Sequence, residues 1–203
     1  MPTSPSAPLL FGLRFAAGTL GSVVSGLILG PAVPGLGRGI FDPARPAFQI
    51  LAVGALFALV LALVRARRPL PAVVLSSLVG VLALALSSAR GPAHALSNGV
   101  AGLAVGGGIF VIAVLYDAMA DLGYPVGKFL VTGPLLGGVF LAATPLSGLG
   151  GGPPLGLVRA CWINAFVGIV IGEGVGFGVE VAELAADTRR SADAGRVAPG
   201  PPD

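Results

Sequence analysis

Residues 47–64 and 71–88 read AFQILAVGALFALVLALV and PAVVLSSLVGVLALALSS, separated only by RARRPL, and this stretch decides the fold. Neither run contains a charged side chain. Eighteen helical residues rise about 27 Å, close to the ~30 Å hydrocarbon core of a bilayer. Helices satisfy their own backbone groups inside lipid, and the alternating pattern of a membrane barrel strand is absent. The short basic connection, with prolines that set the turn and open the next helix, reads as a tight hairpin between two membrane spans.

Four more apolar segments extend the pattern: residues 9–30, 97–121, 126–146 and 157–183. The expected fold is therefore all-α, a polytopic membrane protein with a six-transmembrane-helix bundle over residues 1–187. Residues 188–203, TRRSADAGRVAPGPPD, are polar and rich in Pro and Gly and read as a disordered cytoplasmic tail. The opening MPTSPSAP carries no charged side chain and precedes a long apolar run, so the first segment reads as a retained helix rather than a cleaved signal.

Composition agrees. Of 203 residues, 55% are hydrophobic and 10% charged, with a mean hydropathy of +0.94. A soluble domain carries about 25% charged residues, so this chain lacks the side chains to cover a water-facing surface. Disorder over most of the length is excluded for the same reason. One cysteine, Cys161, rules out an internal disulfide, and one histidine, His94, rules out bis-histidine haem ligation or a three-histidine zinc site. No cofactor and no metal are expected. A formal charge of +3 spread along the chain does not make the concentrated basic face that nucleic acid requires. The bilayer is the expected partner, together with other membrane subunits or a second copy.

Lys and Arg set the expected orientation. The side holding the termini carries seven, among them Arg65, Arg67, Arg68 and Lys128, against four on the other side (Arg38, Arg45, Arg90 and Arg159). Both termini are expected in the cytoplasm, in a cell membrane. Tyr116, Tyr124 and Trp162 fall near span ends, where amphipathic rings prefer to lie.

Small residues recur at four-residue spacing in the first span (Gly18, Ser22, Gly26, Gly30) and the sixth (Gly168, Gly172, Gly176, flanked at the same spacing by Asn164 and Glu180). Such ladders allow close backbone approach, either between helices of one chain or toward a partner subunit. In the fourth span Asn98, Gly102, Gly106, Ala113 and Asp117 share one face, which should turn inward. Arg14 and Asp117 are both shallow at the same side and are expected to pair. Glu173 lies about 15 Å inside the end of the sixth span, among glycines that offer little hydrophobic compensation. It reads either as a working carboxyl, with Asn164 and Asn98 as neutral oxygen donors, or as a protonated group bonded to a neighbouring helix.

Other motifs fail. GEGVGFG follows no strand and is no dinucleotide fingerprint. The Tyr116-Asp117 pair lacks the second GxGD motif of intramembrane aspartyl proteases. His94, Ser97 and Asn98 define no oriented nucleophile. An intramembrane enzyme ranks third of three function classes, because it needs a catalytic constellation that the sequence does not display. The other two lie close together. One is a small transport protein, a permease or the membrane substrate-binding subunit of a larger transporter, using Glu173, Asn164, Asn98 and Asp117. The other is a structural or assembly subunit packing through its glycine faces.

Overall fold

A computed structural model describes residues 7–29, 46–88, 91–123, 127–146 and 154–196. They form six α-helices: α1 (Ala7–Leu29), α2 (Pro46–Arg65), α3 (Pro69–Ser87), α4 (Pro92–Asp121), α5 (Phe129–Leu146) and α6 (Pro154–Arg196). Proline opens α2, α3, α4 and α6, at the helix start where its missing N–H costs no intrahelical bond. Ala7–Leu29, Pro92–Asp121, Phe129–Leu146 and Gly156–Arg189 are long and apolar enough to cross a bilayer, and α2 and α3 are apolar over Ile50–Arg65 and Pro69–Ala83. Outward faces carry exposed Leu20, Ile28, Leu82, Leu103, Leu130 and Phe177, an apolar surface suited to lipid or to another membrane-embedded chain. The chain is a helical multi-pass membrane protein.

The helices alternate in direction, because the start of α1, the end of α2, the end of α4, the start of α5 and the region around residue 183 of α6 meet at one end of the bundle. Each helix packs on its chain neighbours, and α6 closes the ring against α1. Two helices are central. The α2 helix touches α1, α3, α4 and α6, and Phe57, Ala58, Val60, Leu61 and Ala62 are wholly buried. The α6 helix touches α1, α2 and α5 through Val167, Val170, Ile171, Val175 and Val179.

Over the described residues both glycine ladders are spent inside the chain. Gly168 and Gly172 lie against the α5 backbone at Leu136, Gly137, Thr132 and Gly133, and Gly176 lies against Phe129 and Thr132. Gly18 and Gly26 meet Ala58 and Ile50 of α2, where the Ser22 hydroxyl donates to the Ile50 carbonyl at 3.1 Å. A second small row on α1, Ala17, Gly21 and Ser25, meets Gly174 and Gly178 of α6. Ser22→Leu or Gly26→Leu is therefore expected to destabilise the bundle by about 1–3 kcal/mol through overpacking. Leu27→Ile, on the lipid face, and Val23→Leu, off the ladder, are expected to be nearly silent. Thermal unfolding in mild detergent compares them, and equal tolerance at all four positions would contradict this packing.

Two features differ from the sequence reading. Helix α6 does not stop near residue 183; it continues through residues expected to be disordered, as far as Arg196. Residues 184–196 include four alanines and no proline, so helix propensity holds there. Residues 197–203 lie outside the described residues, as do Gly30 and Tyr124. Tyr116 is not an interfacial ring but is wholly buried in the core, whereas Trp162 is exposed.

Candidate functional site

The charged end of the bundle is built from six short stretches of chain. Arg14 comes from the second turn of α1 and Arg65 is the last residue of α2. After it the chain turns tightly: Arg67 adopts φ 57°, its N–H donates to Val64, and the Arg68 N–H donates to Leu63. This is a Schellman cap, with arginine where glycine is usual. A left-handed residue with a side chain costs roughly 1–2 kcal/mol. Here it aims the guanidinium at Asp117 and Asp121, one helical turn apart at the end of α4.

Arg65 is the hub. Its Nη1 donates to Asp117 Oδ1 at 2.7 Å and its Nε to Glu183 Oε1 at 3.0 Å, linking α2 to α4 and α6. Arg14 approaches the same Glu183 oxygen at 3.2 Å, an ion pair whose Nε–H is not aligned as a hydrogen bond. Arg67 donates to Asp117 Oδ2 at 3.1 Å and to Asp121 Oδ2 at 2.8 Å. That bond to Asp121 raises the pKa of the Arg67 guanidinium above its ordinary value. The Arg14, Arg65, Asp117 and Glu183 side chains are no more than 17% exposed, whereas Arg67 is 70% exposed. The inner pairs are therefore strong interactions and the Arg67 pairs weak ones.

A second polar group adjoins the first. Glu180 is buried and accepts the Gly127 N–H at 3.0 Å and the Phe129 N–H at 3.1 Å. It thus supplies negative charge to the open start of α5. Lys128, also buried, sets its Nζ 5.3 Å from the centre of the Tyr116 ring, a cation–π contact. The Tyr116 hydroxyl is buried and has no hydrogen-bond partner among the described residues. Three cations (Arg14, Arg65, Lys128) and three carboxylates (Asp117, Glu180, Glu183) are thus enclosed at one end of a lipid-facing protein.

The structure gathers only part of the set read from sequence. Asp117 belongs to the cluster. Arg14 does too, but its carboxylate is Glu183, while Asp117 is engaged by Arg65 and Arg67. The expected Arg14–Asp117 pair is corrected accordingly: both residues lie at the same end, and Arg65 stands between them. Glu173 sits on α6 about 15 Å deeper, its side chain against Gly133 of α5. It has no hydrogen bond or ion pair among the described residues. Asn164 does not reach it; its amide donates to Thr144 Oγ1 at 3.0 Å, tying α6 to α5 further from the charged end. Asn98 lies nineteen residues along α4 from Asp117, about 28 Å away. Ser97 donates to the His94 carbonyl within its own helix. Among the described residues no group of three His, Cys, Asp or Glu side chains is placed to hold a metal ion.

Arg65, Glu180, Glu183 and Lys128 were not singled out as site residues in the sequence reading. The available signal was spacing: Glu180 continues the Gly168–Gly172–Gly176 row, and Glu183 follows it by three positions on an adjoining face. No protein-family model, characterised protein or solved structure matches the chain.

Proposed function

We propose that this chain is a small transport protein of the cell membrane, with both termini and the charged end on the cytoplasmic side. The observation that carries this reading is the enclosure of six ionisable side chains, from or beside five helices, at one end of the bundle. Stability alone does not account for it. These charges sit near helix ends, where burial costs less than at a helix centre, yet well-packed apolar residues in place of a buried ion pair are often neutral or stabilising. Ion pairs that share partners, as Arg14 and Arg65 share Glu183, can instead exchange them as helices shift, which suits a latch on one side of a transport route. Glu173, deeper and without a partner in the described chain, is the group along such a route that could load and release a proton or cation.

The assembly reading rested on glycine faces free to meet a partner, and those faces are occupied by the chain's own helices. Two experiments bear on the choice. Reporters fused after Arg68 and after Arg190 are both expected to report cytoplasmic; a split result would contradict six crossings, and two external results would invert the orientation. Mild-detergent purification with mass spectrometry, followed by flux assays in proteoliposomes, separates the functions. Ion or anion flux above empty vesicles supports transport. A fixed-stoichiometry complex without flux supports assembly.

A further inference from the structure

A cavity of about 560 Å³ opens beside the charge cluster, between the first turns of α1 and the α2–α3 turn. Its walls are of two kinds. Leu10 and Phe11 of α1 supply an apolar side, and Arg14, Arg65, Arg67 and Arg68 supply the other. Every charged side chain on the cavity wall is an arginine; the carboxylates that pair with three of them lie outside the lining. Asp117, Asp121 and Glu183 engage Arg14, Arg65 and Arg67, whereas the exposed Arg68 side chain has no hydrogen bond or ion pair among the described residues.

We propose that this cavity binds the phosphate of an anionic phospholipid, with the headgroup on Arg67 and Arg68 and an acyl chain along Leu10 and Phe11. Guanidinium groups present planar, forked donors that match phosphate oxygens. Basic pockets between membrane helices at a bilayer surface bind anionic headgroups for this reason. The cavity lies at the open end of α1, and the turns of that helix beyond it are apolar. A free phosphate would use the arginines and leave the Leu10–Phe11 wall without purpose. Binding here is separate from the transport reading, because it is measured without flux.

The test uses the delipidated full chain in mild nonionic detergent, titrated with dioleoyl phosphatidylglycerol, dioleoyl phosphatidylcholine or inorganic phosphate, with melting temperature as readout. Phosphatidylglycerol is expected to raise the melting temperature saturably, with phosphatidylcholine and phosphate giving much smaller shifts. Arg68→Gln, which breaks no hydrogen bond or ion pair among the described residues, should keep the unliganded melting temperature and weaken phosphatidylglycerol binding about tenfold. Phe11→Ala should weaken phosphatidylglycerol binding while leaving any response to phosphate unchanged. Equal responses to the two lipids, or identical titrations of wild type and Arg68→Gln, would overturn the proposal. A full shift with inorganic phosphate alone would overturn the lipid as its source.

Discussion

Arg65→Ala is expected to cost about 3–5 kcal/mol of folding stability, enough to leave much of the protein unfolded in detergent at ambient temperature. The reason is what remains behind. Arg65 is the hub for Asp117 at 2.7 Å and Glu183 at 3.0 Å, both largely buried. Without it, among the described residues, Asp117 keeps the exposed Arg67 and Glu183 keeps Arg14 through a poorly aligned contact. Arg67→Gly serves as the contrast. It removes two ion pairs of an exposed guanidinium, weakened by solvent screening, but relieves a left-handed backbone, so little net change is expected. Double-mutant cycles resolve the wiring: coupling of Arg14 with Glu183 should exceed coupling of Arg14 with Asp117. Denaturant unfolding followed by circular dichroism measures all of these, and equal losses for Arg65→Ala and Arg67→Gly would contradict the assignment of Arg65 as hub.

Gly178→Ala is the second change with a large expected effect. A methyl group at Gly178 would overlap the carbonyl oxygen of Ala17, and one at Gly21 would overlap the carbonyl oxygen of Gly174. Both obstacles are backbone, so no rotamer change relieves them, and α1 must move away from α6. The expected loss is at or above the upper end of the roughly 1–3 kcal/mol typical of overpacking, with exposure of the Ala17–Gly21–Ser25 row. Gly18→Ala should cost less, because the atoms it meets are side-chain methyls of Ala58, Val179 and Val175. Gly107→Ala and Gly138→Ala meet nothing within 4 Å and should leave the melting temperature nearly unchanged. A ranking in which Gly138→Ala is as damaging as Gly178→Ala would place the α1–α6 contact elsewhere.

The helices were legible because lipid as solvent demands long uncharged runs, and residues 47–64 and 71–88 leave no other reading. Ladder spacing was legible too, but not which helix each ladder meets. Period alone assigns Gly18, Ser22 and Gly26 to one face; it does not say that this face turns to α2 while Gly21 turns to α6. The tail misled because Pro and Gly near its end coloured the reading of residues 188–196, which contain no proline and continue the helix. At the site, depth along the chain brought Arg14 and Asp117 to one end. Their partners depended on how α6 and α2 lie across that end, which no local pattern encodes. Arg65 was read only as an orientation signal, since a cation closing a span does the same whether it faces water or a carboxylate. The four polar residues grouped from sequence had polarity inside an apolar helix in common, and nothing in that property forces them to meet. Asn164 finds Thr144 instead, and Glu173 rests against Gly133.

The most direct test of the transport reading is flux through proteoliposomes containing wild type or Glu173→Gln. Proton movement is followed with an entrapped pH dye, and phosphate, sulfate and chloride are offered as counter-ions. Glutamine keeps the shape of the side chain and disturbs no hydrogen bond or ion pair in the described structure, so the melting temperature should match that of wild type. The reading predicts wild-type flux above empty vesicles that falls at least about tenfold, or loses its pH dependence, in Glu173→Gln. Flux unchanged in a well-folded Glu173→Gln, or no wild-type flux with any of these ions, would contradict it.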